Sequence, residues 1–353
     1  MSGHTPLAVV AVLFSALSLA SPTQAQSPLL TIDTVTVGNA GNAADYTTYG
    51  SVAYEFNIGK YEVTIGQYNT FLNSVASVTS DGYILDLWNA SMESNLNIAG
   101  ISRSGSGILG DPYVYSVMGP SGITPEGASS PGNRPITYVS WFDAARFANW
   151  MNNGATNGAS TETGAYTLNG ATNGVGINKN VGATWWIPSE DEWYKAAYYK
   201  GGGTNAGYWD LPTQSDSAPG NNVGGATNQA NYYDGDYAVT QSASTSDNTQ
   251  NYLTDGGAFS NSASAYGTFD QGGNVWEWND AVIGSSRGLR GGNFESLFDF
   301  DLQSSYREQV SDPTSEDYKW GFRVASVPEP STYALLTLAA AGLGAHVLRR
   351  RRQ

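Results

Sequence analysis

The chain has 353 residues, 31 acidic against 16 basic, for a net charge of −15, with no cysteine and only two histidines. That length allows one large domain or two small ones. The charge repels phosphate backbones and argues against nucleic acid as a partner, and the lack of cysteine excludes disulfides and thiolate chemistry.

The first element is an apolar run from Leu7 to Ala20, closed by Ser21-Pro22-Thr23-Gln24-Ala25-Gln26. It is shorter than the 20 or so residues that span a bilayer. Its small-residue exit has the layout of a secretory signal cleaved after Ala25, although Lys and Arg are missing ahead of it. The alternative is a buried N-terminal helix. Val52 to Tyr61 alternates in part and predicts a strand.

Three helix starts follow. Thr64 with Gln67, Ser140 with Asp143, and Ser189 with Glu192 each pair a capping side chain with a partner three residues on. Such a box satisfies N–H groups that a helix start leaves open. Apolar stripes (Tyr68, Phe71, Leu72, Val75; Ala144, Phe147, Ala148, Met151; Trp193, Ala196, Ala197) place helices near 64–76, 140–153 and 189–199. Ala183 to Ile187, Arg287 to Asn293 and Trp320 to Ala325 predict further strands. Residues 154–180 and 201–251 are rich in Gly and Asn and are expected to be long ordered loops with mobile tips. The fold class expected is α+β, a single loop-rich domain with little regular secondary structure. With no disulfide, burial of ten Trp, 22 Tyr and 11 Phe must hold it together.

The last element is Val327-Pro328-Glu329-Pro330-Ser331, then an apolar stretch from Tyr333 to Leu348, then Arg349 to Arg352. Positive charge behind an apolar segment keeps that end cytoplasmic. The three parts in this order resemble the PEP-CTERM sorting tail of Gram-negative bacteria. The resemblance implies cleavage near Pro328, Glu329 and Pro330 by an exosortase-type protease, transient inner-membrane anchoring, and delivery to the cell surface or an exopolysaccharide matrix. A plain membrane anchor is the alternative. The organisation is then a signal peptide over 1–25, a domain over 26–326 and a sorting tail over 327–353. Without the four terminal arginines, 12 basic residues face 31 acidic ones, a balance of −19 with Glu329 retained.

Six motifs in order carry a second resemblance. They are Lys60-Tyr61-Glu62-Val63-Thr64 with Gln67-Tyr68; Arg134-Pro135-Ile136 with Val139-Ser140-Trp141; Trp186 to Trp193 with Ala196-Ala197; Phe269 to Trp278, which includes Gly273-Asn274-Val275-Trp276-Glu277-Trp278; Arg290-Gly291-Gly292-Asn293-Phe294; and Trp320-Gly321-Phe322-Arg323-Val324. Across roughly residues 50–326 they resemble the formylglycine-generating enzyme, or sulfatase-modifying-factor, family. The resemblance implies a C-type-lectin-like core and structural calcium. It places one calcium site at Gly272, Gly273 and Val275, through backbone carbonyls, with the Glu277 carboxylate, a mixture of oxygen donors that suits calcium. Asn231, Tyr232 and Asp247 are the nearest matches to a second. For Glu277 the other reading is a buried acid paired with Arg290 or Arg323.

The family's oxidases bind copper(I) through two cysteines. Here Ser296 stands at the first position, and the second falls near Phe300 or Asp301. Copper(I) needs soft thiolate ligands, so copper-dependent formylglycine formation is excluded. His4 lies in the signal segment and His346 in the tail, which removes the usual zinc site and any Ser-His or Cys-His nucleophile from the domain. No catalytic residue is assigned; Asp234 and Asp236, and Asp299 and Asp301, are expected to be loop charges or cation ligands. Gly201-Gly202-Gly203 ends a helix rather than opening one, which is not a nucleotide loop. The function expected is a displayed, non-catalytic domain that binds exopolysaccharide or another surface glycan. A carboxylate-based hydrolase and a purely architectural matrix protein are the alternatives.

Overall fold

The computed structural model describes residues 27–78, 86–119, 122–124, 127–243, 250–308 and 312–328. The signal segment with Ala25, residue Asp247, Glu329, Pro330 and the apolar stretch at 333–348 lie outside the described residues. In chain order the elements are β1 (Thr34–Val37), β2 (Phe56–Gly59), α1 (Ile65–Val75), α2 (Ser91–Ser94), β3 (Ile101–Ser104), β4 (Val114–Val117), β5 (Gly122–Thr124), β6 (Gly127–Ser129), α3 (Trp141–Asn152), β7 (Trp185–Trp186), α4 (Glu190–Tyr198), β8 (Trp276–Ile283), β9 (Ser286–Arg290), β10 (Trp320–Phe322) and β11 (Ala325–Ser326). This is a loop-rich α+β architecture. No helix among the described residues is long and apolar enough to cross a membrane.

The three long helices start where their capping residues stand. Thr64, Ser140 and Ser189 each accept a hydrogen bond from the backbone N–H three residues on, and the side chains of Gln67, Asp143 and Glu192 each accept one from the cap's own N–H. Helix α3 is buried on all sides, so its polar residues need internal partners. Arg146 donates to Glu162 at 2.8 Å and to the Ala171 carbonyl at 2.9 Å. Asn149 donates to the carbonyls of Thr161 and Tyr166 and accepts from the Tyr166 N–H. These bonds order the Gly/Asn-rich stretch that follows the helix. On the apolar side Phe71 of α1 meets Phe147 and Trp150 of α3 at ring-centroid distances of 5.3 and 5.5 Å.

Two sheets flank this centre. One has the order β1-β2-β11-β7, all antiparallel, so the first described strand and the last lie in one sheet. The other has the order β10-β8-β9, with β10 parallel to β8 and β8 forming a bulged hairpin with β9. The strand expected over 52–61 shortens to Phe56–Gly59, and that over 287–293 becomes Ser286–Arg290, because the backbone turns away through Gly291 at φ 105°. The β3–β4 hairpin (residues 101–117) and α2 carry no clear periodicity and were not expected.

Candidate functional site

Two neighbouring regions carry the family motifs: a buried polar hub under β8, and a loop at 291–303. In the hub, Glu277 of β8 and Arg323 after β10 form a two-pronged ion pair, Nε to Oε2 at 2.5 Å and Nη2 to Oε1 at 2.6 Å. Both side chains are fully buried. The Trp193 indole of α4 donates to the same carboxylate at 2.8 Å, while Arg323 also donates to the carbonyls of Gly59 and Phe269. One guanidinium thus ties β2, β8 and the 269 turn together. Of the two arginines named as partners for a buried Glu277, Arg323 is the one that pairs with it, while Arg290 pairs with Glu190.

Two more carboxyls face this pair. Glu62 accepts from the Asn274 amide at 3.1 Å through Oε1, while its Oε2 is buried without a hydrogen-bond partner. Burial, with Asp270 beside it, pushes the Glu62 carboxyl well up from its usual range. Burial likewise pushes Asp270 up to about 6, against a hydrogen bond from the Gly257 N–H and the pull of Arg323. Burial opposes the charge on Arg323, but Glu277, Glu62 and Asp270 together overcome it and raise the guanidinium.

The residues expected to hold metal meet here in part. Gly273 sits at φ 83°, where an added Cβ would lie 2.3 Å from the Asn231 carbonyl oxygen, so only glycine allows this approach. The Asn274 N–H donates to that carbonyl, and the Asn274 side-chain oxygen accepts from the Asn231 amide. Asn231 therefore adjoins the Gly272–Glu277 stretch. Tyr232 is buried and points away, its hydroxyl donating to the Pro219 carbonyl. Among the described residues no group of three His, Cys, Asp or Glu side chains is arranged to hold a metal ion by itself. The donor chemistry still suits a hard cation: three carboxyls surround one guanidinium, and the open oxygen belongs to Glu62, with the Glu277 oxygens engaged by Arg323 and Trp193. Glu62 and Asp270 were not anticipated as part of the hub. Nothing local marks them, because their partners lie across the sequence.

The second region begins at Gly291 and Gly292, both at positive φ. Ser296 is buried, and its Oγ accepts from the Asn293 N–H at 3.1 Å and the Asn293 amide at 3.2 Å. Ser296 and Asp301 both flank Gly292, where an added Cβ would lie 3.2 Å from the Ser296 Oγ and 3.3 Å from the Asp301 Cβ, and burial raises the Asp301 carboxyl. Ser296, at the first cysteine position, therefore lies beside Asp301, one of the two candidates for the second. Asp234 and Asp299 both act on Tyr232 close by. Asp236 accepts from the Asn221 amide at 2.8 Å, and Asp299 from Gln303 at 3.2 Å.

Outside Ser296 the chain exposes Leu297, Phe298 and Phe300 at 64, 60 and 43 %. The two Phe rings stack at 5.4 Å and 21°, and Phe300 meets Tyr306 edge-on, which in turn meets Trp276 of β8. Arg290 fixes the base of this ledge: it pairs with Glu190 of α4 at 2.7 Å and donates to the carbonyls of Ser304 and Tyr306. A second aromatic row, Tyr233, Tyr237, Tyr252, Phe294 and Tyr318, packs ring to ring on the other side of Ser296.

Comparison with known proteins agrees with this picture. Residues 326–352 match the PEP-CTERM protein-sorting motif, which implies recognition by an exosortase-type system and marks an exported protein. A search of curated proteins returned no match. Among solved structures the chain is similar to CarF, at 19 % identity over 85 % of this chain and 100 % of that one, with a TM-score of 0.43. It is similar to Treponema denticola variable protein 1, at 16 % over 84 % and 95 %, with a TM-score of 0.43. It is also similar to PvdO from Pseudomonas aeruginosa, at 16 % over 84 % and 92 %, with a TM-score of 0.39. Residues 32–327 match the sulfatase-modifying factor enzyme 1-like domain, and the chain belongs to that family.

Proposed function

We propose that this exported protein is a non-catalytic, surface- or matrix-displayed binding domain on a C-type-lectin-like core, and that its ligand is a polysaccharide held on the Leu297–Phe300 ledge. The observation that carries the reading is the exposed Phe298–Phe300 stack beside a cysteine-free Ser296–Asp301 position. Exposed rings on a braced loop offer sugar faces a stacking surface, and carboxylates beside them accept hydroxyl hydrogen bonds. An acidic exterior favours a neutral glycan over an anionic one. The test is titration of the purified domain against neutral and acidic polysaccharides. Binding that disappears with Phe298→Ala and Phe300→Ala supports the reading, and no binding to any polymer sinks it.

Structural calcium is part of the proposal, at the Gly272–Glu277 stretch beside Asn231. The excess of carboxyls over cations and the open Glu62 oxygen support it. A ligand held only by the native state must stabilise it, so a chelator should lower the unfolding temperature. An unchanged temperature removes calcium from the account.

One observation favours a second reading, a hydrolase of carboxylate chemistry. Asp301 lies beside Ser296 around Gly292, its carboxyl raised by burial, with Asp299 on the same loop. A glycosidase and esterase screen decides, with Asp301→Asn as the control that should abolish any activity found.

A further inference from the structure

The chain leaves the domain between two grooves. One, of about 670 Å³, runs beside β1, β7 and the end of α3; the other, of about 340 Å³, lies beside Tyr54 and the 179–183 loop. Val327 and Pro328 line both. The exit is fixed: β11 is hydrogen-bonded on both sides, to β2 and β7, and the Val327 N–H donates to the Thr184 carbonyl at 3.1 Å. Pro328 therefore starts at the domain surface with no slack behind it.

Around this exit the surface changes character. Among the described residues no charged side chain lines the larger groove, in a chain of net charge −15. Leu29, Tyr54 and Val327 are 43, 47 and 44 % exposed, and Val181 is fully exposed. Only Glu55 and Lys179 carry charge in the smaller groove. Exposed apolar residues gathered around one sparsely charged exit mark a contact surface.

We propose that this face rests on the lipid surface while the sorting tail holds the chain in the membrane. The proposal rests on the reading of Tyr333 to Leu348 as a transient anchor. Its geometry follows from the sequence. Only residues 329–332 separate Pro328 from Tyr333, and five Cα steps extend at most about 18 Å. A stretch of sixteen residues, Thr337 and His346 included, would reach only about 24 Å as a helix, less than the hydrocarbon thickness of about 30 Å, so an anchor of that length spares no tether. Little of that length clears the headgroups, so the exit face is the one brought to the bilayer. An acidic domain approaches anionic lipid at least cost through its sparsely charged, apolar-rimmed side, where Lys179 offsets Glu55.

The natural absence of cysteine makes the test clean. Full-length chain carrying either Val181→Cys or Leu109→Cys is labelled with a fluorophore and incorporated into phosphatidylethanolamine–phosphatidylglycerol vesicles containing a lipid-borne quencher. Leu109 is 89 % exposed between β3 and β4, outside both grooves. Anchoring is scored separately, by resistance to carbonate washing. The expected result is carbonate-resistant protein with quenching at 181 about threefold that at 109 or more. A Gly/Ser insert of about 20 residues after Pro328, spanning roughly 25 Å, should equalise the two without releasing the protein. Equal quenching in carbonate-resistant protein overturns the proposal and leaves the anchor reading standing. Loss of the protein in carbonate overturns both. A label at 181 already shielded from aqueous quencher before vesicles are added shows that the chain covers its own groove, and also overturns the proposal.

Discussion

The hub around Arg323 and the ledge at Leu297–Phe300 sit close together and are built on opposite principles. In the hub, charged groups are buried and nearly all are bonded. On the ledge, apolar rings are exposed and bonded only to one another. A buried ion pair tolerates no loss of a partner, because the other charge is left in a medium that cannot solvate it. An exposed ring costs the fold little when it is removed. The contrast separates what keeps this domain folded from the surface proposed to meet a ligand.

Breaking the hub should give the largest effect. Arg323→Met leaves Glu277 charged, buried and held only by Trp193, and should cost about 3–5 kcal/mol in urea unfolding. Adding Glu277→Gln to that variant should restore part of the loss; a double variant no better than the single one would mean the pair is not the source. Ser296 lies at the border. Ser296→Ala strands the two Asn293 donors, and should cost about 1–3 kcal/mol. A neutral result would assign Ser296 to the ledge rather than the frame. Phe298→Ala with Phe300→Ala should change stability by less than about 0.5 kcal/mol. In calorimetry the same pair should weaken polysaccharide binding about tenfold or more, the size expected of lost aromatic stacking.

A pH dependence centred on a third place, Asp143 and Glu316, supplies a comparison with both regions. Burial, with Asp143 beside it, pushes Glu316 from 4.5 up to about 8. Burial also pushes Asp143, the α3 capping partner, from 3.8 up to about 6. The folded chain then keeps protons that the unfolded chain releases. This contribution to stability is complete below about pH 4 and is lost as the pH rises towards about 8. Unfolding midpoints measured from pH 5 to 8 should fall, and Glu316→Gln should flatten the slope. A slope unchanged in that variant would place the titrating group elsewhere.

The sequence carried the helix starts almost to the residue. A capping box is written within four positions, so Thr64, Ser140 and Ser189 declare themselves. The hub is a different case. Arg323 reaches Glu277 across 46 positions, and Asn274 reaches Glu62 across 212. The parallel pairing of β10 on β8 brings Arg323 to Glu277, and no local pattern shows it. Glu277 was legible as a buried acid with Arg323 as one of two named partners, while Glu62 and Asp270 were not seen as its neighbours. The ledge escaped for the converse reason: Leu297, Phe298 and Phe300 look like core residues, and only the turn through Gly291 and Gly292 puts them outside.

Burial of the arginines has one more consequence. Arg134, Arg146, Arg287, Arg290 and Arg323 are all fully buried, so five of the seven arginines ahead of the terminal cluster are withdrawn from solvent by folding. The unfolded chain is a mixed polyelectrolyte, but the folded particle presents a nearly one-signed skin. Such particles stand apart in dilute salt and draw together when divalent ions bridge them. Outside the cell, the mineral content of the water would therefore set how densely copies crowd.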